Sequence, residues 1–169
     1  QRVVREDNPL PCTLGRICDH LCEQACVRTH LDEPVAIRDI KRFIVDGERQ
    51  PESPASVGDK NQKAAIIGAG PGGLSAAIEL ARGGFDVEVF EKHAHAGGMV
   101  GGVVPEYRLP KSVFDKDYAA LAELGIPVHY NVDVGRDLTL SQLREDGYSH
   151  IVIAVGAQLG RTLPLDGVD

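Results

Sequence analysis

Cys12, Cys18, Cys22 and Cys26 are the only cysteines of the chain, and they fall within one short segment. Thiols this dense exceed what chance packing of buried cysteines produces, and three chemistries compete for them. Disulfides belong to oxidising compartments. Zinc could recruit His20 or His30 as well, but the x5, x3, x3 spacing matches none of the common zinc patterns. Iron–sulfur clusters suit clustered thiolates. If Cys18 to Cys26 is helical, its three thiols form an i, i+4, i+8 stripe about 12 Å long. A single compact cluster cannot easily collect all three from a straight helix. Either the segment bends, or the thiolates serve two clusters.

A second constellation is Gly68-Ala69-Gly70-Pro71-Gly72-Gly73. It follows an apolar run, Lys63 to Ile67, and opens a segment with helical spacing. In this setting Gly68 permits a tight turn, Gly70 lets backbone approach a pyrophosphate, and Gly73 lets helix and strand pack closely. Pro71 and Gly72 complete the loop, and the helix N-terminus that it opens favours an anion. Glu91, 23 residues after Gly68 and followed by Lys92, ends the next strand. A carboxylate there accepts hydrogen bonds from a ribose 2′-hydroxyl and repels a 2′-phosphate, which favours FAD or NAD over NADP at this site.

Further along, Gly97-Gly98-Met99 lets backbone pass close to another part of a long ligand. Arg108, in Pro105-Glu106-Tyr107-Arg108-Leu109-Pro110, offers a counter-charge for a phosphate or a flavin. Ala154 to Gly156 ends an apolar strand in small residues, as if something large packs over it. His93 and His95 lack further ligands nearby in sequence and read as a solvated loop. No nucleophile–base pair stands out, which fits chemistry carried by a bound cofactor.

The elements that must position these residues follow from periodicity. Strands are predicted at 63–67, 86–90, 127–132 and 150–155. Helices are predicted at 72–82, 112–124 and 140–144, with Gly83-Gly84 and Gly125 as stops. This order gives an α/β, Rossmann-like, doubly wound parallel sheet. Residues 1–60 hold all four cysteines but three of the 19 glycines. A helical Cys-rich unit at 1–46, a linker at 47–62 rich in proline and small polar residues, and a dinucleotide-binding unit at 63–169 are expected.

The 169 residues, with 43% hydrophobic and 25% charged side chains, are ordinary globular composition. A net charge of −7 offers no footprint for nucleic acid or an anionic membrane surface. No apolar run approaches the roughly 18 residues that span a bilayer. The chain starts at Gln1 without Met, so it reads as a piece of a longer protein. A unit of some 45 residues without its metal has little core of its own.

The motif order resembles the small chain of glutamate synthase and its relatives, among them the N-terminal part of dihydropyrimidine dehydrogenase and selenate-reductase-type iron–sulfur flavoproteins. The matching stretches are Asn8 to Pro11, Gly15 to Cys18, Cys22 to Cys26, Pro34 to Arg38, the glycine loop, Gly97-Gly98, Pro105 to Pro110 and Ala154 to Gly156. The resemblance implies FAD on Gly68–Gly73, Arg108 near the flavin diphosphate, and Val134-Gly135 near the adenine. It implies cytoplasmic [4Fe–4S] clusters completed by cysteines preceding Gln1, and an NAD(P)H site beyond Asp169. The family often carries cysteine where this chain has Leu14, so Cys12 is the optional ligand. The activity implied is an NAD(P)H-dependent oxidoreductase passing electrons through FAD and clusters to a partner subunit or domain. A non-catalytic nucleotide-binding or electron-relay adaptor is the alternative. The isolated segment is expected to lack NAD(P)H oxidation.

Overall fold

The computed structural model describes residues 2–47, 61–157 and 160. The predicted linker lies almost wholly outside the described residues, as does the end of the 63–169 unit.

Four parallel strands, β1 (Lys63–Ile67), β2 (Asp86–Glu91), β3 (Val128–Tyr130) and β4 (Tyr148–Ile153), form a sheet in the order β3-β2-β1-β4. The central strand β1 is buried from Ala64 to Ile67, and Ile67 sits level with Phe90 on β2 and Ile153 on β4. This register brings the C-terminal ends of the strands to one edge of the sheet, beside the glycine loop.

Ahead of the sheet lie α1 (Arg2–Asp7), α2 (Pro11–Ile17), α3 (Leu21–Gln24), a 3-10 turn at Val27–His30 and α4 (Ile37–Asp46). Helices α5 (Pro71–Arg82), α6 (Gly98–Gly102), α7 (Lys111–Glu123) and α8 (Leu140–Glu145) follow. Pro71 occupies the first turn of α5, where its missing N–H costs nothing. Thr139 and Gln142 form a reciprocal capping box on α8.

β3 is shorter than the predicted 127–132, and β4 keeps the predicted length but begins and ends two residues earlier than 150–155. Asn131 takes a left-handed φ of 58° directly after β3. Gly156, at φ 68°, follows the end of β4, which stops at Ile153 instead of Val155.

Cys18 to Cys26 is not one helix. Cys18 is extended at the end of α2, His20 is left-handed at φ 46°, and Cys26 is extended again after α3. The segment bends, as one of the two sequence alternatives required.

The core on the α5–α7 side of the sheet includes Ile66, Val89, Leu74, Ala77, Phe114 and Leu121. Leu10, Cys12 and Val45 of the helical unit belong to the same cluster. The small unit thus makes up for its limited core by sharing that of the sheet domain. The opposite face holds a smaller cluster of Ala65, Ile67, Phe90, Leu143 and Tyr148.

Candidate functional site

The glycine loop begins with two backbone constraints. Gly68 has φ 104°, and a Cβ there would lie 2.5 Å from the Ala154 carbonyl oxygen. A Cβ on Gly73 would lie 1.9 Å from the Gly68 oxygen, so the helix can meet the strand here only through glycine. Gly70 and Gly72 differ: nothing lies within 4 Å of a Cβ at either. Two glycines therefore build the turn, and two leave space in front of it.

Glu91 is buried, and both of its oxygens already accept backbone N–H groups. Oε2 takes the Ala69 N–H at 2.8 Å and Oε1 the His93 N–H at 2.8 Å. The carboxylate holds the glycine loop to the end of β2, and each oxygen keeps a second lone pair for another donor.

The second glycine pair packs directly on the first motif. The Gly97 N–H donates to the Ala69 carbonyl at 2.8 Å, and a Cβ on Gly98 would lie 3.1 Å from Gly70 Cα. Beneath it, a Cβ on Gly97 would meet Gly101 Cα at 2.6 Å and Phe114 at 3.1 Å. Phe114 of α7 thus supports this wall from the core side.

These pieces enclose a cavity of about 770 Å³. Its lining contains Gly68, Gly70, Pro71, Gly72, Glu91, Lys92, Gly98, Met99, Val134, Ala154 and Gly156. Val132, Asp133, His93 and His95 also line it; sequence spacing marked none of them as binding residues. Ile153 and Val155 leave 63% and 49% of their surface exposed at the end of an otherwise apolar strand. Gly73, Gly97 and Gly135 are not in the lining. The first two act in packing, and Gly135, at φ 109°, donates its N–H to the Leu138 carbonyl in a turn.

Arg108, expected near a flavin diphosphate, is not among the residues that line this cavity. Leu109 beside it is buried and Pro110 precedes α7, which anchors the turn. Arg108 lines a separate pocket with Arg16, Arg38 and Arg42.

The cysteines divide into two environments. Cys12 is 1% exposed, in the shared core, and its Sγ accepts a hydrogen bond from Arg5 Nη2 at 3.6 Å. Burial inside that cluster sets Cys12 apart as a core thiol, not an open ligand. Cys22 is exposed, whereas Cys18 and Cys26 are half-buried, and none of the four is in a disulfide. Backbone hydrogen bonding at Val35 and Arg28, helped less by the Arg28 charge, holds the Cys26 thiol below its ordinary value against the opposing effects of burial and the Asp32 charge. A favoured thiolate suits a metal ligand. Among the described residues no three His, Cys, Asp or Glu side chains converge into a metal-holding group. The donor type therefore fits an iron–sulfur cluster, while these residues do not complete one.

Known proteins resemble the chain in two blocks. Residues 1–53 match the family model for dihydropyrimidine dehydrogenase domain II, 4Fe-4S cluster, and residues 66–127 match that for an NAD(P)-binding Rossmann-like domain. The PreT subunit of the NAD-dependent dihydropyrimidine dehydrogenase of Escherichia coli K12 is 39% identical over 166 residues, 96% of this chain and 40% of that protein. The beta subunit of the NADP(+)-dependent formate dehydrogenase of Moorella thermoacetica is 37% identical, over 99% of this chain and 27% of its own length. The chain thus spans about 40% or less of the length of these relatives. Mycobacterium tuberculosis FprA, solved in complex with NADPH, superposes with a TM-score of 0.52 at 27% identity, covering 64% of this chain and 25% of FprA. The chain thus joins a block similar to dihydropyrimidine dehydrogenase domain II, 4Fe-4S cluster, to a block similar to NAD(P)-binding Rossmann-like domains, and over nearly its whole length it is similar to these oxidoreductase subunits.

Proposed function

We propose that this chain is the cluster-proximal and FAD-binding part of an NAD(P)H-dependent oxidoreductase, which passes electrons between nicotinamide, FAD and [4Fe–4S] clusters. The observation that carries this reading is the 770 Å³ cavity between the glycine loop, Glu91, the Gly98–Met99 turn and the end of β4. Its position at the C-terminal ends of parallel strands is where such sheets bind dinucleotides.

The cradle fits the group. Gly70 and Gly72 leave open space where a diphosphate would lie, and the first-turn N–H groups of α5 and its dipole favour that charge. Glu91 keeps lone pairs for ribose hydroxyls and disfavours a 2′-phosphate. Val134 lies on the proposed adenine side, and Val155 supplies exposed apolar surface in the lining. A flavin held there would supply hydride chemistry coupled to single-electron transfer. The protein's part is to orient it, to exclude water with apolar walls, and to set its electrostatics. Cys18, Cys22 and Cys26 are the proposed cluster ligands. The family resemblance to the glutamate synthase small chain supports FAD over NAD here, and puts NAD(P)H on a further part of the protein.

An electron-accepting partner subunit is proposed because the relatives PreT and the formate dehydrogenase beta chain are named as subunits. Among the described residues no helix is long and apolar enough to cross a membrane. Assignment to the reducing cytoplasm is proposed because thiolate ligands of iron–sulfur clusters persist where thiols are kept reduced.

The test is the absorption spectrum of the anaerobically purified full-length protein, with iron and sulfide analysis. Flavin bands with a broad iron–sulfur shoulder are expected. Absence of flavin, or stoichiometric zinc in place of iron, would refute the reading.

A further inference from the structure

Asp117 of α7 is fully buried, and so is Arg5 of α1. The Asp117 carboxylate accepts the Cys12 N–H through Oδ1 and the Thr13 N–H through Oδ2. Both donors stand in the first turn of α2, and Cys18 directly follows the last residue of that helix. Arg5 pairs with the same carboxylate, and its Nη2 reaches Cys12 Sγ. From α5, Arg82 donates to the Arg5 carbonyl at 2.8 Å. The first two helices of the cysteine unit are therefore held by α5 and α7.

These same two helices bound the dinucleotide cavity. α5 starts at Pro71, in the cavity lining. Phe114, one turn before Asp117 on α7, lies 3.1 Å from the position of a Cβ on Gly97. On the other side the thiols are tied to α4. The Cys18 carbonyl accepts from Arg38 Nη1 at 3.3 Å, and Glu23 Oε1, beside Cys22, accepts the Arg38 N–H at 2.8 Å. α4 meets α2 so closely that a Cβ on Gly15 would lie 3.2 Å from Arg42 Cα. The thiols are thus fixed to α4, α4 to α2, and α2 to Asp117. A buried ion pair is a poor source of stability, because desolvation offsets much of the attraction. Geometry is what it fixes: a sealed carboxylate that must satisfy two N–H groups and a guanidinium restricts how α2 can sit, where apolar packing alone is more permissive.

We propose that Asp117 is a positioning residue for electron transfer. It sets the place of the Cys18–Cys26 segment relative to the dinucleotide cavity, and with it the rate at which electrons pass between flavin and clusters. This role rests on the FAD and cluster assignments proposed above. In the step concerned, a flavin that has taken a hydride from NAD(P)H gives up two electrons, one to each of two oxidised clusters, and its proton goes to solvent. Transfer falls steeply as donor and acceptor separate. A shift of α2 therefore slows it without touching any group that lines the cavity.

The experiment compares the full-length protein with Asp117→Leu and with Arg5→Met/Asp117→Leu, which keeps neither charge of the pair. After anaerobic mixing with NADH or NADPH, flavin bleaching should stay within twofold of the parent, while cluster bleaching slows at least tenfold in both variants. The double variant separates position from stability: it should regain part of the melting temperature lost by Asp117→Leu, but none of the cluster bleaching rate. Amide exchange of the resting double variant, followed by mass spectrometry, should be at least tenfold faster over residues 11–18 and within twofold of the parent over 71–82. An unchanged ratio of cluster to flavin bleaching in the double variant would overturn the role, as would parent-like exchange over 11–18. Recovery of cluster bleaching together with melting temperature would overturn it too, because stability alone would then explain the effect. So would loss of more than half of the iron from the double variant, which would make Asp117 a folding residue of the cluster unit. A parent protein without flavin or iron would overturn the cofactor assignments and this role with them, whereas exchange over 11–18 would still report whether Asp117 holds α2.

Discussion

Asp117 Oδ1 lies 3.5 Å from Arg5 Nη1, and both side chains are sealed from solvent. Asp117 also accepts the Cys12 N–H at 3.1 Å and the Thr13 N–H at 2.7 Å, two of the first donors of α2. On the other side, Arg82 of α5 donates to the Arg5 and Glu6 carbonyls at the end of α1. A carboxylate from the sheet domain thus caps a helix of the cysteine unit, while an arginine from that domain caps another. Since Cys18 directly follows α2 and α7 carries Phe114 under the Gly97 wall, one turn of α7 links the cysteine segment to the cavity.

Removing Asp117 leaves the Arg5 charge buried and two helix donors without their acceptor. Asp117→Leu should lower unfolding free energy by about 3–5 kcal/mol. The double variant Arg5→Met/Asp117→Leu should recover part of the loss, because no uncompensated charge remains. Urea unfolding followed by circular dichroism measures both, and a loss below 1 kcal/mol in the single variant would contradict this account.

Gly70 and Gly73 should fail in different ways. Gly70→Val meets open space and normal φ, so stability should change little while flavin content of the full-length protein falls at least tenfold. Gly73→Ala drives a methyl into the Gly68 carbonyl, so the fold itself should lose about 2 kcal/mol or more. Flavin released on denaturation and melting temperature separate the two outcomes.

The Cys26 thiol, held below its ordinary value of 9.0 chiefly by backbone hydrogen bonding, should be thiolate at a lower pH than a free cysteine. In metal-free protein, alkylation of Cys26 by iodoacetamide, followed by peptide mass spectrometry, should reach half its maximal rate at a lower pH than in a model cysteine peptide. Arg28→Gln should shift that midpoint upward, since a cation beside the thiolate is removed.

Glu88 gives a pH dependence of stability. Burial raises its carboxyl, but hydrogen bonds from Tyr148 and His129 and the nearby Lys63 outweigh that and bring it below 4.5. Folding therefore favours the ionised form. Its stabilisation is complete above the ordinary value and is lost as pH falls through the lower folded-state value. Between pH 5 and pH 3, Glu88→Gln should lose less stability than the parent, by no more than about 1 kcal/mol for so exposed a network. Equal acid slopes for the two proteins would exclude this role.

Local sequence determined the dinucleotide half in detail. The glycine loop, the Glu91 strand end and the helical period of 71–82 are short-range patterns whose meaning is carried by backbone φ and by side-chain spacing, so they are legible in one dimension. The apolar run at 150–153 is of the same kind. Tertiary structure alone decided which polar residues meet. Asp117 reaches Cys12 and Thr13 across more than 100 residues, and no spacing rule joins them. The division of the cysteines into a core thiol and three more open ones depends on what packs against each, not on the interval between them. Arg108 stands in a motif that reads as a phosphate counter-charge, yet it joins Arg16, Arg38 and Arg42 because two helices and a turn converge there. Local conformation is encoded locally, whereas the company a charged side chain keeps is set by the crossing of distant elements.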